Sequence, residues 1–281
     1  MKIQFDNVQK TFKVRNPAGG RGAFSTFTAV KDVQLGVKDG EFMVIVGPSG
    51  CGKSTLLDML GGLTKPSAGQ ILLDGKPIDG PGLDRGIVFQ QYALFPWKTA
   101  KQNIEFGLEA KGIPRKERSE RASHFLALVG LAGFEQRYPH ELSGGMKQRV
   151  AIARSLAFDP DVLLMDEPFA ALDAQTRETL QSELLRIWEQ TKKTIVFITH
   201  GIDEAVYLGQ RVAVMTSRPG TIKQVIDIPV HVNGAEEDIR SLPEFGELRH
   251  EIWELLRDEV SRAQQQEHTK AQAGAAVGAR G

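Results

Sequence analysis

The chain has 281 residues, enough for one large domain or two small ones, and 41% of them are hydrophobic, so a sizeable core can be buried. Lys and Arg together number 35, as do Asp and Glu, and this neutrality argues against a nucleic-acid binder. The single cysteine excludes an internal disulfide framework and fits a reducing compartment, and no apolar run approaches the ~18 residues that cross a bilayer, so the chain is expected to be soluble or peripheral.

The N-terminus alternates like a strand and has no apolar signal core. Residues 2–12 are expected to form an edge strand, with Ile3, Phe5 and Val8 as its apolar residues. Residues 15–28 are rich in Gly and small side chains and are expected to form a loop. Ala29 to Val37 alternates again, and Lys38, Asp39 and Gly40 turn into the apolar run Phe42–Val46, a short buried strand. Then come Gly47, Pro48, Ser49, Gly50, Cys51, Gly52, Lys53, Ser54 and Thr55, which fit G-x-x-x-x-G-K-[ST], the phosphate-cradling P-loop. Leu56 to Leu60 opens a helix, completing the strand–loop–helix context that the motif requires. Glycines let successive backbone N–H groups turn inward as an anion nest, and the helix offers its positive end to the same phosphates. Lys53 suits the β- and γ-phosphates, and the Ser54 hydroxyl suits Mg²⁺. Cys51 reads first as a small residue that fits the loop; the sharper alternative is a thiol whose alkylation blocks nucleotide binding.

Ile71–Leu73 with Asp74 and Gly75 reads as a strand and tight turn, and Ile87–Phe89 as a short strand ending at Gln90 and Gln91. From about Lys101 to Phe158 helical spacing takes over, carried by Phe125, Leu128, Val129, Val150, Ala153 and Leu156. This stretch is expected to be a helical subdomain inserted into an α/β core. Strands return at Val162–Met165, Thr194–Ile198 and Val212–Met215, with a helix from about Ala174 to Thr191. The alternation predicts an α/β fold with a largely parallel, doubly wound sheet. Leu248, Ile252, Leu255, Leu256 and Val260 make one apolar helix face, expected to pack back on the domain rather than on a partner or a membrane. The folded domain is expected to span 1–262, and residues 263–281, rich in Gln, Ala and Gly, to be a disordered tail.

Two further segments carry chemistry. Val162–Met165 delivers Asp166 and Glu167 at its C-terminal end, where ligands bind in open α/β sheets. Asp166 suits Mg²⁺, and Glu167 is placed to orient and deprotonate an attacking water. In Leu142–Arg149, Ser143, Gly144 and Gly145 precede a helix and form a second anion-binding helix end. With this segment the sequence resembles the ABC ATPase family over about residues 2–260, because it matches that family's signature.

The resemblance implies a P-loop NTPase fold with an antiparallel β subdomain and an inserted helical subdomain, ATP and Mg²⁺ as cofactors, and a head-to-tail homodimer. In that dimer each signature segment closes on the γ-phosphate held by the other P-loop. Residue by residue, Gln90 resembles the lid glutamine that senses Mg²⁺ and the attacking water. Asp173 resembles the loop aspartate that crosses the dimer interface, and His200 the switch histidine at the γ-phosphate. Phe12 resembles the aromatic that stacks on adenine, with Phe24 or Phe27 as substitutes. Gly201 departs from the family, where an acidic residue usually follows the histidine; Asp203 and Glu204 stand ready to supply that charge.

The stretches Gly80–Gly86, Leu94–Trp97, Leu185–Trp188 and Met215–Gly220 look like the nitrate, sulfonate and taurine importer branch, on its taurine and alkanesulfonate side. By that likeness the chain is peripheral at the cytoplasmic face of the inner membrane. It serves integral-membrane permease subunits and, indirectly, an extracytoplasmic substrate-binding protein, with no nucleic acid involved. Phe95 and Trp97 would then either face the permease or belong to the helical core. The rivals are a soluble ABC ATPase without a membrane partner, an importer ATPase for another solute, an exporter ATPase and a P-loop kinase.

Overall fold

The computed structural model describes residues 1–15, 24–229 and 239–278. In chain order the elements are β1 (Ile3–Arg15), β2 (Phe24–Val37), β3 (Phe42–Val46), α1 (Lys53–Leu60), β4 (Ala68–Leu73), β5 (Lys76–Pro77), β6 (Arg85–Val88), α2 (Ala100–Ala110), α3 (Arg115–Leu128), α4 (Gly144–Ala157), β7 (Val162–Asp166), α5 (Ala174–Thr191), β8 (Thr194–Thr199), α6 (Ile202–Leu208), β9 (Arg211–Met215), β10 (Ile222–Asp227) and α7 (Pro243–Gly278). They fall into two compact units, one of Met1–Lys38, Met43–Gly80 and Ile198–Gly281, the other of Asp39–Phe42 and Pro81–Phe197.

The first unit holds an antiparallel sheet ordered β2-β1-β4-β5. β1 pairs with β2 from Ile3 opposite Val37 to Arg15 opposite Phe24, and with β4 from Ile3 opposite Leu73 to Gln9 opposite Ala68. It is therefore an inner strand, not the edge strand its sequence suggests: alternation tells which face is buried, not how many neighbours a strand has. Ile3, Phe5 and Val8 do point into the core. β2 begins at Phe24, inside the stretch expected to be loop. Its Thr and Phe residues meet partners across the ladder, Thr28 opposite Thr11 and Phe27 opposite Phe12, the kind of cross-strand pairing that stabilises a ribbon. The glycine-rich part of that stretch, residues 16–23, lies outside the described residues.

The same unit carries β3 beside β9 in parallel, Met43 opposite Arg211 to Val46 opposite Val214, with β10 antiparallel on the outer side of β9. Every residue of β3 is buried, as a strand covered on both faces must be. β10 escaped the sequence reading because its half-exposed residues show no clean alternation. On α7, Ile252 and Leu256 are buried while Leu248 and Leu255 are half-covered. The α7 backbone stays helical through Gly278, across most of the stretch expected to be a disordered tail. That expectation rested on low hydrophobicity, whereas Ala, Gln and Glu are good helix formers.

The second unit carries β8, β7 and β6 side by side, with β6 and β7 parallel from Arg85 opposite Val162 to Val88 opposite Met165. The helices α2, α3 and α4 lie between those two strands in sequence. The buried stripe of α3 is Ala122 and Leu126, continued by Val129, spaced i, i+4, i+7; Phe125 and Leu128, expected to carry it, are only half-covered. Phe42, Trp188, Phe197 and Phe169 form a chain of edge-on and tilted rings with centroids 5.8–5.9 Å apart. The Trp188 indole N–H donates to the Gly40 carbonyl at 3.1 Å, fixing α5 to the turn before β3.

The segment from Phe95 to Thr99 is tied down from within α2. Asn103 is fully buried; its Oδ1 accepts the Phe95 N–H at 2.8 Å, and its Nδ2 faces the carbonyls of Phe95, Lys98 and Thr99 at 3.0–3.2 Å. Thr99 caps α2 in a reciprocal box with Gln102. Above this frame Phe95 packs against Phe106 at 4.6 Å and Trp97 at 5.7 Å, and Trp97 stands 71% exposed. Of the two alternatives for these aromatics, Phe95 belongs half to the subdomain's packing and Trp97 to its surface.

Candidate nucleotide site

In the first unit, β3 runs straight into the glycine-rich loop. Gly50 and Gly52 have φ of 70° and 110°, a region that side chains other than glycine's rarely enter. A Cβ on Gly52 would also run into Val30 Cγ1. Gly52 is the N-cap of α1 and supplies no capping side chain, while the Lys53 N–H of the first turn donates to the Cys51 thiol. Lys53 is buried, and its ammonium donates to the carbonyls of Gly47 at 2.9 Å and Pro48 at 3.1 Å. Ser54 is exposed on the same turn, and Thr55 half-exposed. The loop thus gathers a cation, a hydroxyl and a helix N-terminus, the complement of a phosphate chain.

Cys51 is 1% exposed, and burial pushes its thiol up despite the opposing Lys53 charge. A protonated, covered thiol is a poor nucleophile. The reading of Cys51 as a small packing residue therefore gains over the reactive alternative.

Phe12 is 37% exposed, faces Phe27 across the ladder and carries the Lys10 ammonium 5.2 Å from its ring centroid. Phe24 is 67% exposed, whereas the Phe27 ring is covered by the Arg218 guanidinium at 4.4 Å. His200, exposed, follows β8 in the same unit. Its neighbour Gly201 donates its N–H to the Thr199 hydroxyl at 3.0 Å, and that hydroxyl in turn donates to Glu204. Asp203 and Glu204 stand in the first turn of α6, so negative charge does reach the helix start beside His200.

The second unit carries the remaining residues. Gln90 is exposed just after β6. Asp166 ends β7 half-buried, and Glu167 follows with φ of 45°, an unusual backbone for a side chain of its size. Ser143 caps α4, accepting the Met146 N–H at 3.3 Å. A Cβ on Gly145 would lie 2.6 Å from Thr176 Cγ2, so α4 approaches α5 closely there; Gly144 lies near the Tyr92 hydroxyl. Asp173 caps α5 by accepting the Thr176 N–H at 3.0 Å, a bond that holds its carboxyl below the usual range. The structure therefore gathers the P-loop, Phe12 and His200 in one unit, and Gln90, the Ser143–Gly145 segment, Asp166, Glu167 and Asp173 in the other.

Sequence reasoning missed two arginines. Arg154 on α4 donates to the carbonyls of Ala93 at 2.6 Å and Tyr92 at 3.1 Å, residues held at φ of 47° and 55° just after Gln90. Nothing in the local sequence signals that clamp. The other is Arg218, in the segment Met215–Gly220, whose guanidinium reaches the Gly50 carbonyl.

A buried strand feeding a glycine-lined turn, with Lys53 and Ser54 at the start of the next helix, defines a P-loop nucleotide-binding protein. The comparisons narrow the class: residues 30–170 match the family described as ABC transporter, and the chain belongs to that family. It is 53% identical over 260 residues to an uncharacterized ABC transporter ATP-binding protein of Methanocaldococcus jannaschii, covering 92% of this chain and 93% of that one. It is 48% identical to the nitrate import ATP-binding protein NrtD of Synechocystis sp. over 264 residues, 92% of this chain and 96% of the relative. It is also 48% identical to the taurine import ATP-binding protein TauB of Roseobacter denitrificans over 233 residues, 82% and 87% of the two chains. Among solved structures it resembles a dimeric ATP-binding cassette in a post-hydrolysis state bound to ADP and Pi, with TM-score 0.70, 35% identity, and coverage of 82% of this chain and 100% of that one. The domain is an ABC ATPase. No helix among the described residues is long and apolar enough to cross a membrane.

Proposed function

We propose that the chain is the ATP-hydrolysing subunit of an ABC importer for a small anion of the taurine, alkanesulfonate or nitrate class. The observation that carries this reading is its equal likeness, 48% identity, to ATP-binding proteins named for nitrate import and for taurine import. It works as a homodimer on two permease subunits at the cytoplasmic face of the membrane, with an extracytoplasmic binding protein delivering the solute and no nucleic acid involved.

The chemistry follows from the residue types. The loop from Gly47 to Thr55 binds the ATP phosphates through its N–H groups and Lys53, and Phe12 stacks on the adenine. Ser54, Asp166 and the Gln90 amide are oxygen donors of the kind Mg²⁺ takes, and they would hold it. When bound, Mg²⁺ offsets the charge on the phosphate oxygens. Glu167 accepts a proton from the attacking water, while Gln90 and His200 orient that water and the γ-phosphate. Ser143, Gly144 and Gly145 of one subunit meet the γ-phosphate held by Lys53 of the other, with Asp173 at the interface. ATP thus binds the closed dimer more tightly than the open one, the differential affinity that a ligand-driven motion requires. Hydrolysis removes the bridge and reopens the dimer.

The test is affinity purification of the chain from mild-detergent extracts of its native cells, followed by ATP turnover of the complex with taurine, an alkanesulfonate and nitrate, each with its binding protein. A multi-span partner and turnover raised by one anion are expected. Recovery with soluble partners alone would overturn the importer reading and favour a soluble ABC ATPase.

A further inference from the structure

The segment Met215–Gly220, between β9 and β10, has no part in the mechanism above, yet it grips the phosphate-binding loop from outside. The Arg218 guanidinium donates twice to one acceptor: Nε to the Gly50 carbonyl at 3.0 Å and Nη2 to the same oxygen at 2.6 Å. Its other side lies over the Phe27 ring, 4.4 Å from the centroid. Gly220 seals the far end, donating its N–H to Ala29 O at 2.9 Å and accepting the Lys31 N–H at 2.9 Å. A Cβ on Gly220 would collide with the Cys51 carbonyl, so the two loops touch backbone to backbone. Ser217 is anchored from the opposite direction. Its N–H and hydroxyl donate to the buried Glu259 carboxylate of α7 at 2.8 and 2.9 Å.

We infer that Arg218 is a positioning residue for nucleotide binding, fixing the Gly50–Cys51 peptide and with it the turn that shapes the phosphate-binding loop. The inference rests on the reading of the Gly47–Thr55 loop as the ATP site. In a trans peptide the carbonyl and the N–H point in opposite directions. Holding the Gly50 oxygen with two charged donors turns the Cys51 N–H the opposite way, onto Pro48 O at 3.3 Å, and that bond closes the turn of the loop at the carbonyl that Lys53 also contacts. Without that grip the glycine at φ 70° is free to flip its peptide plane, which breaks the Cys51–Pro48 turn and opens the anion nest that the turn shapes. The guanidinium also places a second positive charge beside the loop. Its field reaches inside: with Lys53 it opposes the rise that burial imposes on the Cys51 thiol.

The experiment uses the full chain and measures ATP binding calorimetrically, KM and kcat for ATP, and melting without nucleotide, for native protein, Arg218→Gln and Arg218→Lys. Losing a charge-assisted double bond predicts that Kd and KM rise about tenfold in Arg218→Gln while kcat stays within about twofold. Melting without nucleotide stays within about 2 °C, since the guanidinium is only half-buried. Arg218→Lys recovers part of the affinity, because an ammonium can still donate once to Gly50 O. Equal ATP affinity in native protein and Arg218→Gln overturns the role of Arg218 and leaves the ATP site standing. A fall in melting temperature that accounts for the lost binding also overturns it, as a merely structural effect. Native protein that binds no ATP overturns the ATP site and this inference together.

Discussion

Replacing Glu259 by alanine is expected to remove a large share of the stability of the unit built on β9, β10 and α7. The Glu259 side chain is 2% exposed and accepts four bonds: Ser217 N at 2.8 Å, Ser217 Oγ at 2.9 Å, Lys223 Nζ at 3.1 Å and Arg262 Nη1 at 3.2 Å. The Arg262 side chain is 65% exposed and contributes little. Lys223 keeps a second acceptor, Leu255 O at 2.9 Å, and can turn to water. The cost therefore concentrates on Ser217, itself buried, whose N–H and hydroxyl lose their acceptor. Two buried donors left unsatisfied, plus the loss of the charge pairing, come to about 3–5 kcal/mol, or a melting temperature lower by roughly 10 °C.

Glu259→Gln keeps the shape but offers one oxygen to donors on two sides, and is expected to lose about half as much. The pH profile supplies an internal control. Burial pushes the Glu259 carboxyl up, but the bonds from Ser217 and Lys223 outweigh it and leave it below the ordinary glutamate value. Its contribution is therefore full above about pH 4.3, the unfolded glutamate value, and disappears as pH falls through the lower folded value. Urea titrations of native protein and Glu259→Gln should diverge at neutral pH and converge in acid. A Glu259→Ala protein within about 1 kcal/mol of native at pH 7 would refute the reasoning.

The other predictions concern the proposed mechanism. Glu167→Gln is expected to lower turnover by at least about 100-fold and to accumulate an ATP-bound dimer on size-exclusion chromatography; normal turnover would remove Glu167 from the role of base. Phe12→Ala should weaken ATP binding by about 1–3 kcal/mol, read by titration, and undiminished affinity would reject it as the adenine platform. Trp97→Ala should change the unfolding free energy by less than about 0.5 kcal/mol, because the ring is 71% exposed, while uncoupling ATP turnover from transport in the permease complex; lost stability with coupling intact would assign Trp97 to the core.

What could be read from the sequence was what is contiguous. The loop from Gly47 to Thr55 and the segment from Leu142 to Arg149 write their geometry in neighbouring residues, since glycine, hydroxyl and helix start must follow one another to make an anion site. The apolar runs of β3, β7 and β8 are equally local. What could not be read depends on partners distant in sequence. β1 alternates just as an edge strand does, and only its pairing with Ala68–Leu73 makes it an inner one. The α3 stripe was misplaced because Phe125 and Leu126 are both apolar, and only the packing chooses Leu126. Arg218 and Gly50 are 168 positions apart, and Arg154 and Ala93 are 61 apart, so neither clamp has a local signal.

Asn103 carries a consequence for the reading in which Trp97 faces the permease. A surface loop that must be ordered at the moment of contact charges that entropy against the affinity, about 1–2 kcal/mol for each backbone residue fixed. From Phe95 to Thr99 that ordering is complete before any encounter, because one amide side chain holds both ends of the segment. A permease contact there would meet a finished surface, already joined to α2 through the bonds of Asn103.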